Sequence, residues 1–453
     1  MESKKNIVLN KISSTEKSGV VNMMIKPVSM LISIVYTPFL LAFLGDEQFG
    51  LWATLLSVIN WINYFDVGIG NGLRNLLSRE IAEGEKDEAR KSVSTAYVII
   101  SMIALVIFVV LIISINMFDW KAILSTNINM KWPMLISFTF ICINFVLSLS
   151  NTLLYALQKS ERVSIRLCLV QVVNLLGVVI LGYLIDGSLI VMAILFGMST
   201  LVVYIYNTTH IFEKYDYISP KISFFEKNKV RQICNVGIKF FSIQIFCLML
   251  FTVDNLLITH YYGASEVTPF SIVNKVFNTV YSLFAAFLVP YWSKSAVAFA
   301  ENDYKWVKNA IKRVFCIFLL FFAGYIVLAM IFNPLVNIWL GRELQYQAGL
   351  VLVMFAFYIL YSLSGFITSF TNGSGKINNQ MVVFAIAGLL NIPFSIYLGV
   401  NRGFGVVGIK LATTILMIFV VVVLTIDLYN IVRNMRYSSK CNNIERRENN
   451  DKK

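Results

Sequence analysis

Of the charged side chains that stand in or at the ends of apolar stretches of this sequence, six are the first whose types could do chemistry: Lys26, Asp66, Arg74, Asp254, Lys275 and Lys410. A charge at bilayer depth costs at least roughly 2.5 to 3.5 kcal/mol, so such a group is expected to face a partner or a wet cavity. Cations held there can present themselves to anions, and carboxylates can restrain those cations or carry protons. Counted along their helices at 1.5 Å per residue, Lys26 and Asp66 lie about 9 to 12 Å from one membrane boundary, and Asp254 and Lys275 about 12 Å from the other. Depth therefore predicts two ion pairs, Lys26 with Asp66 and Asp254 with Lys275. The plainer reading makes both pairs structural locks between adjacent helices. For Arg74 and Lys410, close to segment ends, snorkelling to the headgroups competes equally with binding, and for Lys239 it is the better reading. Beside Trp61, the residues Asn60, Asn63 and Tyr64 form a polar and aromatic mixture suited to sugar hydroxyls and ring faces. Asparagines also join membrane helices by ordinary hydrogen bonds.

Other motifs fail in context. GIGNG at 68–72 lacks the GxGxxG spacing and follows a helix, and GSGK at 373–376 lacks the earlier glycine and the Ser/Thr of a phosphate-binding loop, so no nucleotide is expected. His210 and His260, the only histidines, have no companion at ligand spacing, which argues against zinc. The six cysteines show no CxxC spacing and read as small packing residues. No cofactor is expected, and the intramembrane carboxylates leave coupling to a proton or sodium gradient open.

The elements that must carry these residues are membrane helices. Of the 453 residues, 57% are hydrophobic and only 14% charged, beyond what a soluble fold can hide. Apolar runs long enough to span a bilayer fall near 20–44, 49–74, 93–117, 132–157, 163–185 and 188–209, and again near 233–262, 267–292, 310–340, 347–371, 377–400 and 406–431. The organisation read from them is a polar tail at 1–19, a six-helix bundle at 20–212, a basic linker at 213–231, a second bundle at 232–432 and a polar tail at 433–453. Of the 38 Lys and Arg, with the span-end residues Arg74, Arg166, Lys312 and Arg313 counted in the adjoining loops, 30 fall on the side of the N-terminus, four opposite (Lys121, Lys131, Arg342, Arg402) and four within spans. That bias predicts both termini in the cytoplasm, and it explains the net charge of +13 without a nucleic-acid partner. The start of the chain lacks the apolar core of a signal peptide, so the first span is expected to remain as an anchor.

The halves repeat. Gly45 and Gly263 follow the first and seventh spans at an offset of 218, while Asn174 in VNLLG matches Asn391 in LLNIP, and Lys159 matches Lys376, at 217. Six spans return the chain to its starting side, so the duplication is parallel, and two such bundles are expected to enclose a central cavity.

The stretch from Phe43 to Gly84, with LGDEQFGLW followed by DVGIGNGLRN, and its second-half counterpart TVDNLLITHYYGASEVTPFSIVNKVF at 252–277, resemble the polysaccharide exporters of the multidrug/oligosaccharidyl-lipid/polysaccharide (MOP) superfamily, the Wzx-type O-antigen and capsule flippases. The resemblance implies an all-α membrane protein of about twelve helices in two parallel-repeat bundles, residing in the bacterial inner membrane. It implies that an undecaprenyl-pyrophosphate-linked oligosaccharide is moved from the cytoplasmic to the periplasmic leaflet by alternating access. Lys26, Arg74, Lys275 and Lys410 would then face the pyrophosphate and acidic sugars, with Asp66 and Asp254 restraining them. Membrane lipids, and other membrane proteins of polysaccharide assembly, are the expected neighbours. A cation-coupled multidrug exporter of the same superfamily is the close alternative. A membrane polysaccharide-modifying enzyme is the alternative from another class, and the short loops, without a His or carboxylate constellation, argue against it.

Overall fold

The structure, a computed structural model, describes the backbone of residues 2–63, 69–157, 159–376 and 378–450. Side chains are described over 24–62, 69–233 and 244–437, except at 71, 75, 82, 158, 293, 296, 297, 300 and 377. Among these residues the regular structure is entirely helical. In chain order the helices are α1 (Glu2–Asn63), α2 (Ile69–Glu83), α3 (Lys86–Met117), α4 (Trp120–Ile123), α5 (Lys131–Leu147), α6 (Leu149–Ala156), α7 (Ser160–Leu184) and α8 (Leu189–Lys214). They continue as α9 (Lys227–Phe251), α10 (Asp254–Tyr262), α11 (Ala264–Ala300), α12 (Tyr304–Met330), α13 (Phe332–Leu340), α14 (Leu350–Ser374), α15 (Asn378–Ile396) and α16 (Gly405–Asn450).

Among the described residues, eleven helical stretches are long and apolar enough to cross a membrane. The chain is a multi-pass integral membrane protein. The first stretch, Met24–Ile62, holds two of the predicted spans, because α1 is two helices meeting at Gly45, whose φ is 72°. The matching break in the second half falls at Gly263, with φ 89°, between α10 and α11. A Cβ at either glycine would meet nothing within 4 Å, so the left-handed backbone, not space, requires glycine there. The repeat read from two glycines is thus a repeat of backbone conformation.

The chain divides into two compact units, unit 1 comprising Met1–Gln244 with Gly263–Ser265, and unit 2 comprising Ile245–Tyr262 with Glu266–Lys453. In unit 1, α3 turns a stripe of small side chains inward, Ala89, Val93 and Ala96, against Leu73, Leu77, Leu153 and Ile233. Gly72, the last residue of GIGNG, has its explanation here. A Cβ on Gly72 would stand 2.1 Å from the Ile233 carbonyl oxygen, so the glycine permits close approach of two backbones.

The basic linker is fastened to unit 1. The backbone N–H of Lys221 donates to Ser94 Oγ at 3.1 Å and that of Glu226 to Thr95 Oγ1 at 3.0 Å, while Arg90 donates to the carbonyls of Asp216 and Ser219 at 2.9 and 3.1 Å. Below them, Lys229 reaches Glu80 at 2.6 Å and Glu88 at 2.8 Å, and Ser92 donates to Glu80 at 2.8 Å. Burial opposes the charge on Lys229, but the hydrogen bonds to Glu80 and Glu88 outweigh it and hold the ammonium above its ordinary pKa. In unit 2, α16 packs against α14 and α15, and Phe277 of α11 stacks with Tyr325, Phe332 and Tyr358 of α12, α13 and α14.

Candidate functional site

The apolar stretch Gln244–Tyr262 contains a break at membrane depth. Helix α9 ends at Phe251, Thr252 and Val253 are not helical, and α10 begins at Asp254. A broken helix leaves carbonyls and N–H groups without helical partners, which hydrocarbon does not tolerate unless protein supplies others. Asn391 of α15 does so, its Nδ2 donating to the carbonyls of Met249 and Leu250 at 3.1 and 3.4 Å. Its Oδ1 accepts from Thr413 Oγ1 of α16 at 3.0 Å. The same hydroxyl lies 3.4 Å from Asp254 Oδ1, so its single proton has two acceptors to choose from.

On the other carboxylate oxygen, Lys410 Nζ donates to Asp254 Oδ2 at 3.0 Å, and the ammonium sits 3.4 Å from the centroid of the Phe357 ring. Asp254 and Lys410 are only 3% and 2% exposed. Asp254 is also the first residue of α10, where a negative charge complements the helix dipole. Three helices, α10, α15 and α16, thus converge on one buried pair of zero net charge. Chemically it stores a cation and an anion that cost little together and a great deal apart. Lys410 can meet another anion only if Asp254 is neutralised or withdrawn.

The two sequence-predicted pairs fare differently. Asp254 is paired with Lys410, so the expected pair with Lys275 does not form; the depth argument aligned Asp254 with Lys275 but could not see α16 arriving beside α10. Lys410 does not snorkel. It lies one turn before Thr413 on the buried face of α16. Lys275 is half-buried on α11. In unit 1, Lys26 is exposed, while Asp66 and Tyr64 lie outside the described residues, as does the Asn63 side chain. Arg74 is exposed and stacks its guanidinium 5.1 Å from the centre of the Tyr155 ring. Asn60 lines a cavity of about 430 Å3 with Asn144, Gln171 and Tyr204.

Sequence reading missed Thr413 and Phe357, and it used Asn391 only as a marker of the repeat. The repeat carries more than that. Asn174, its counterpart in unit 1, accepts from Ser199 Oγ of α8 at 3.1 Å, just as Asn391 accepts from Thr413. An asparagine joined to a hydroxyl on the following span is common to both halves, whereas the ion pair is described in unit 2.

Comparison with known proteins agrees with this architecture. Residues 16–296 match the family model described as polysaccharide biosynthesis protein, and residues 241–397 match the MatE model. The chain is 24% identical over 345 residues to a Yersinia pseudotuberculosis protein named "Putative O-antigen export protein", covering 73% of this chain and 76% of that one. It is 22% identical over 273 residues to a Salmonella typhi protein named "Putative O-antigen transporter", covering 58% and 60%. In fold it is similar to an inward-facing multidrug resistance MATE family transporter of the MOP superfamily, with TM-score 0.75, 15% identity and coverage of 93% and 99%. A MOP superfamily transporter from Pyrococcus furiosus aligns with TM-score 0.65 at 14% identity, over 93% and 96%.

Proposed function

The chain belongs to the polysaccharide biosynthesis protein family, a family of transporters and not of enzymes, and on that premise we propose that it translocates undecaprenyl-pyrophosphate-linked oligosaccharide repeat units. Movement is from the cytoplasmic to the periplasmic leaflet of the inner membrane, by alternating access between two six-helix bundles, with both termini in the cytoplasm. The product is O-antigen or another surface polysaccharide, the substrate class suggested by the names of the two O-antigen relatives.

The observation that carries the reading is the buried Asp254–Lys410 pair at the break between α9 and α10. A static anchor of this fold gains little from charges buried where a helix is interrupted, since an apolar replacement is neutral or better for stability. A carrier that must expose a cation to a pyrophosphate in one state and neutralise it in another has a use for such a pair. Lys26, Arg74 and Lys275 are the other cations assigned to the anionic substrate, and a proton or sodium ion arriving at Asp254 would couple release of Lys410 to a gradient.

A multidrug exporter is the second reading, favoured by the MatE match over 241–397. A deletion strain separates them. The flippase reading expects undecaprenyl-linked repeat units to remain in the cytoplasmic leaflet and surface glycan to fall. Normal surface glycan together with loss of fluorescent-dye efflux would refute it in favour of drug export.

A further inference from the structure

Half of the buried polar side-chain atoms that lack a hydrogen-bond partner among the described residues, seven of fourteen, sit on the consecutive helices α5 to α8 of unit 1. They are Ser137 Oγ, Asn144 Oδ1, Asn151 Oδ1, Arg166 Nη1, Gln171 Oε1 and both side-chain atoms of Asn207. Buried polar groups in folded proteins are nearly always bonded, and a concentration of exceptions marks a place where a ligand or water completes the set. Ser137, Asn144 and Gln171 line the cavity of about 430 Å3 already described, a volume in the range of small-molecule sites.

Arg166 stands on the same helix as the cavity's lining residues Val170 and Gln171, nearer the start of α7. The buried residues of α7, Val163, Arg166, Asn174 and Val178, form one inward stripe. Val170, which lines the cavity, is one turn beyond Arg166 on that stripe, about 6 Å at 1.5 Å per residue. On α8 the order runs the other way, from Tyr204 in the cavity wall to Asn207 one turn on, fully buried. Asn151 of α6 donates to the Tyr204 hydroxyl at 3.3 Å. Arg166 is 8% exposed and makes no ion pair and no hydrogen bond with a described residue, and its electrostatic neighbours are Arg162, a like charge, and Tyr206. A guanidinium presents its donors in a planar fork that matches phosphate oxygens, and burying it without a carboxylate carries a cost that a visiting anion would offset.

We propose that Arg166 and the adjoining cavity form a binding site within unit 1 for a phosphate group carrying a sugar, with phosphate oxygens on the guanidinium and sugar hydroxyls on the amide oxygens of Asn144 and Gln171. The assignment of this ligand to the sugar-phosphate end of a lipid-linked glycan rests on the function proposed above. The uncharged amide lining selects hydroxyls over a second anionic group, and Phe140 and Phe196 in the same wall suit the apolar face of a pyranose ring.

The test uses the full chain purified into phosphatidylcholine nanodiscs and titrated with glucose 1-phosphate, glucose or inorganic phosphate, with binding read by calorimetry and by the thermal unfolding shift. Glucose 1-phosphate is expected to bind at least tenfold more tightly than either part alone. Arg166→Gln should weaken both phosphate ligands at least tenfold, and Asn144→Leu should reduce glucose 1-phosphate to the affinity of phosphate. Because an arginine that is purely structural would also matter for folding, Arg166→Met is compared without ligand. It is expected to be at least as heat-stable as the wild type, and a large drop in its unfolding temperature would overturn the proposal. Replacing phosphatidylcholine by phosphatidylglycerol tests the other source of phosphate. An Arg166-dependent shift seen with that lipid alone would assign the site to headgroups and overturn the sugar-phosphate assignment, and no Arg166-dependent effect in any arm would leave a hydrated cavity and overturn it too. Binding is read without translocation, so a deletion strain with normal surface glycan would remove the transport reading while the titration still decided this site.

Discussion

Neutralising Asp254 alone should be far more damaging than removing Asp254 and Lys410 together. The carboxylate lies 3.0 Å from an ammonium that is 2% exposed, and the only other contact described for that ammonium is the ring of Phe357. In Asp254→Asn the lysine loses its counterion. Breaking a buried pair from one side costs about 3–5 kcal/mol, whereas replacing both members by apolar groups is often neutral or stabilising by about 1–4 kcal/mol. The ring offsets part of the single-mutant loss, since a desolvated cation–π contact contributes about 2 kcal/mol. The net expectation is roughly 1–3 kcal/mol for Asp254→Asn, a shift of about 5- to 150-fold in the folding equilibrium, and close to zero for Asp254→Leu/Lys410→Met. The assay is reversible denaturant unfolding of the purified protein, run as a double-mutant cycle. Additive losses, or a single-mutant loss within the few tenths of a kcal/mol typical of exposed pairs, would show that the two charges are not coupled as the structure places them. The transport readout completes the test: if the pair only locks helices, the stable double variant transports normally, and if it is a working part, stability returns and transport does not.

Asn391→Leu leaves the carbonyls of Met249 and Leu250 without their donor and should destabilise unit 2 by about 1–3 kcal/mol in the same unfolding assay, whereas Asn174→Leu, whose amide donates only to Val170 within its own helix, should cost less. Gly263→Ala should cost about 1–2 kcal/mol through its φ of 89° alone, while Gly324→Ala, in a helix with nothing within 4 Å of the added Cβ, should be stabilising; equal effects would remove the conformational argument. Glu80→Gln strips the shortest anchor from Lys229, which is 5% exposed, and should hasten protease cleavage within 213–231; an unchanged cleavage rate would mean that the linker is held without it.

Much of this architecture was legible because membrane helices announce themselves through composition, and because a duplicated chain states its breaks twice. Gly45 and Gly263 were readable as matching punctuation, and both are left-handed glycines. The partner of Asp254 was not readable. Lys410 is 156 residues away, and depth along a helix says nothing of azimuth, so depth alone selects Lys275 as the partner. Arg166 reads in sequence as an orienting cation because it stands only six residues from the start of α7, and its burial depends on neighbours packed against α7 that the sequence does not place. Thr413 carried no signal by itself, but its spacing of three from Lys410 puts both on one helical face, a pattern that could have marked that face as polar before the fold was known.

The central claim, movement of a lipid-linked oligosaccharide, is tested most directly by reconstituting the purified chain in proteoliposomes carrying undecaprenyl-pyrophosphate-linked oligosaccharide in the inner leaflet. Appearance of the glycan outside is read with an impermeant sugar oxidase. The account predicts protein-dependent exposure that is lost in the stable Asp254→Leu/Lys410→Met variant. Exposure at the rate of empty liposomes, with transport of a cationic dye by the same preparation, would contradict it.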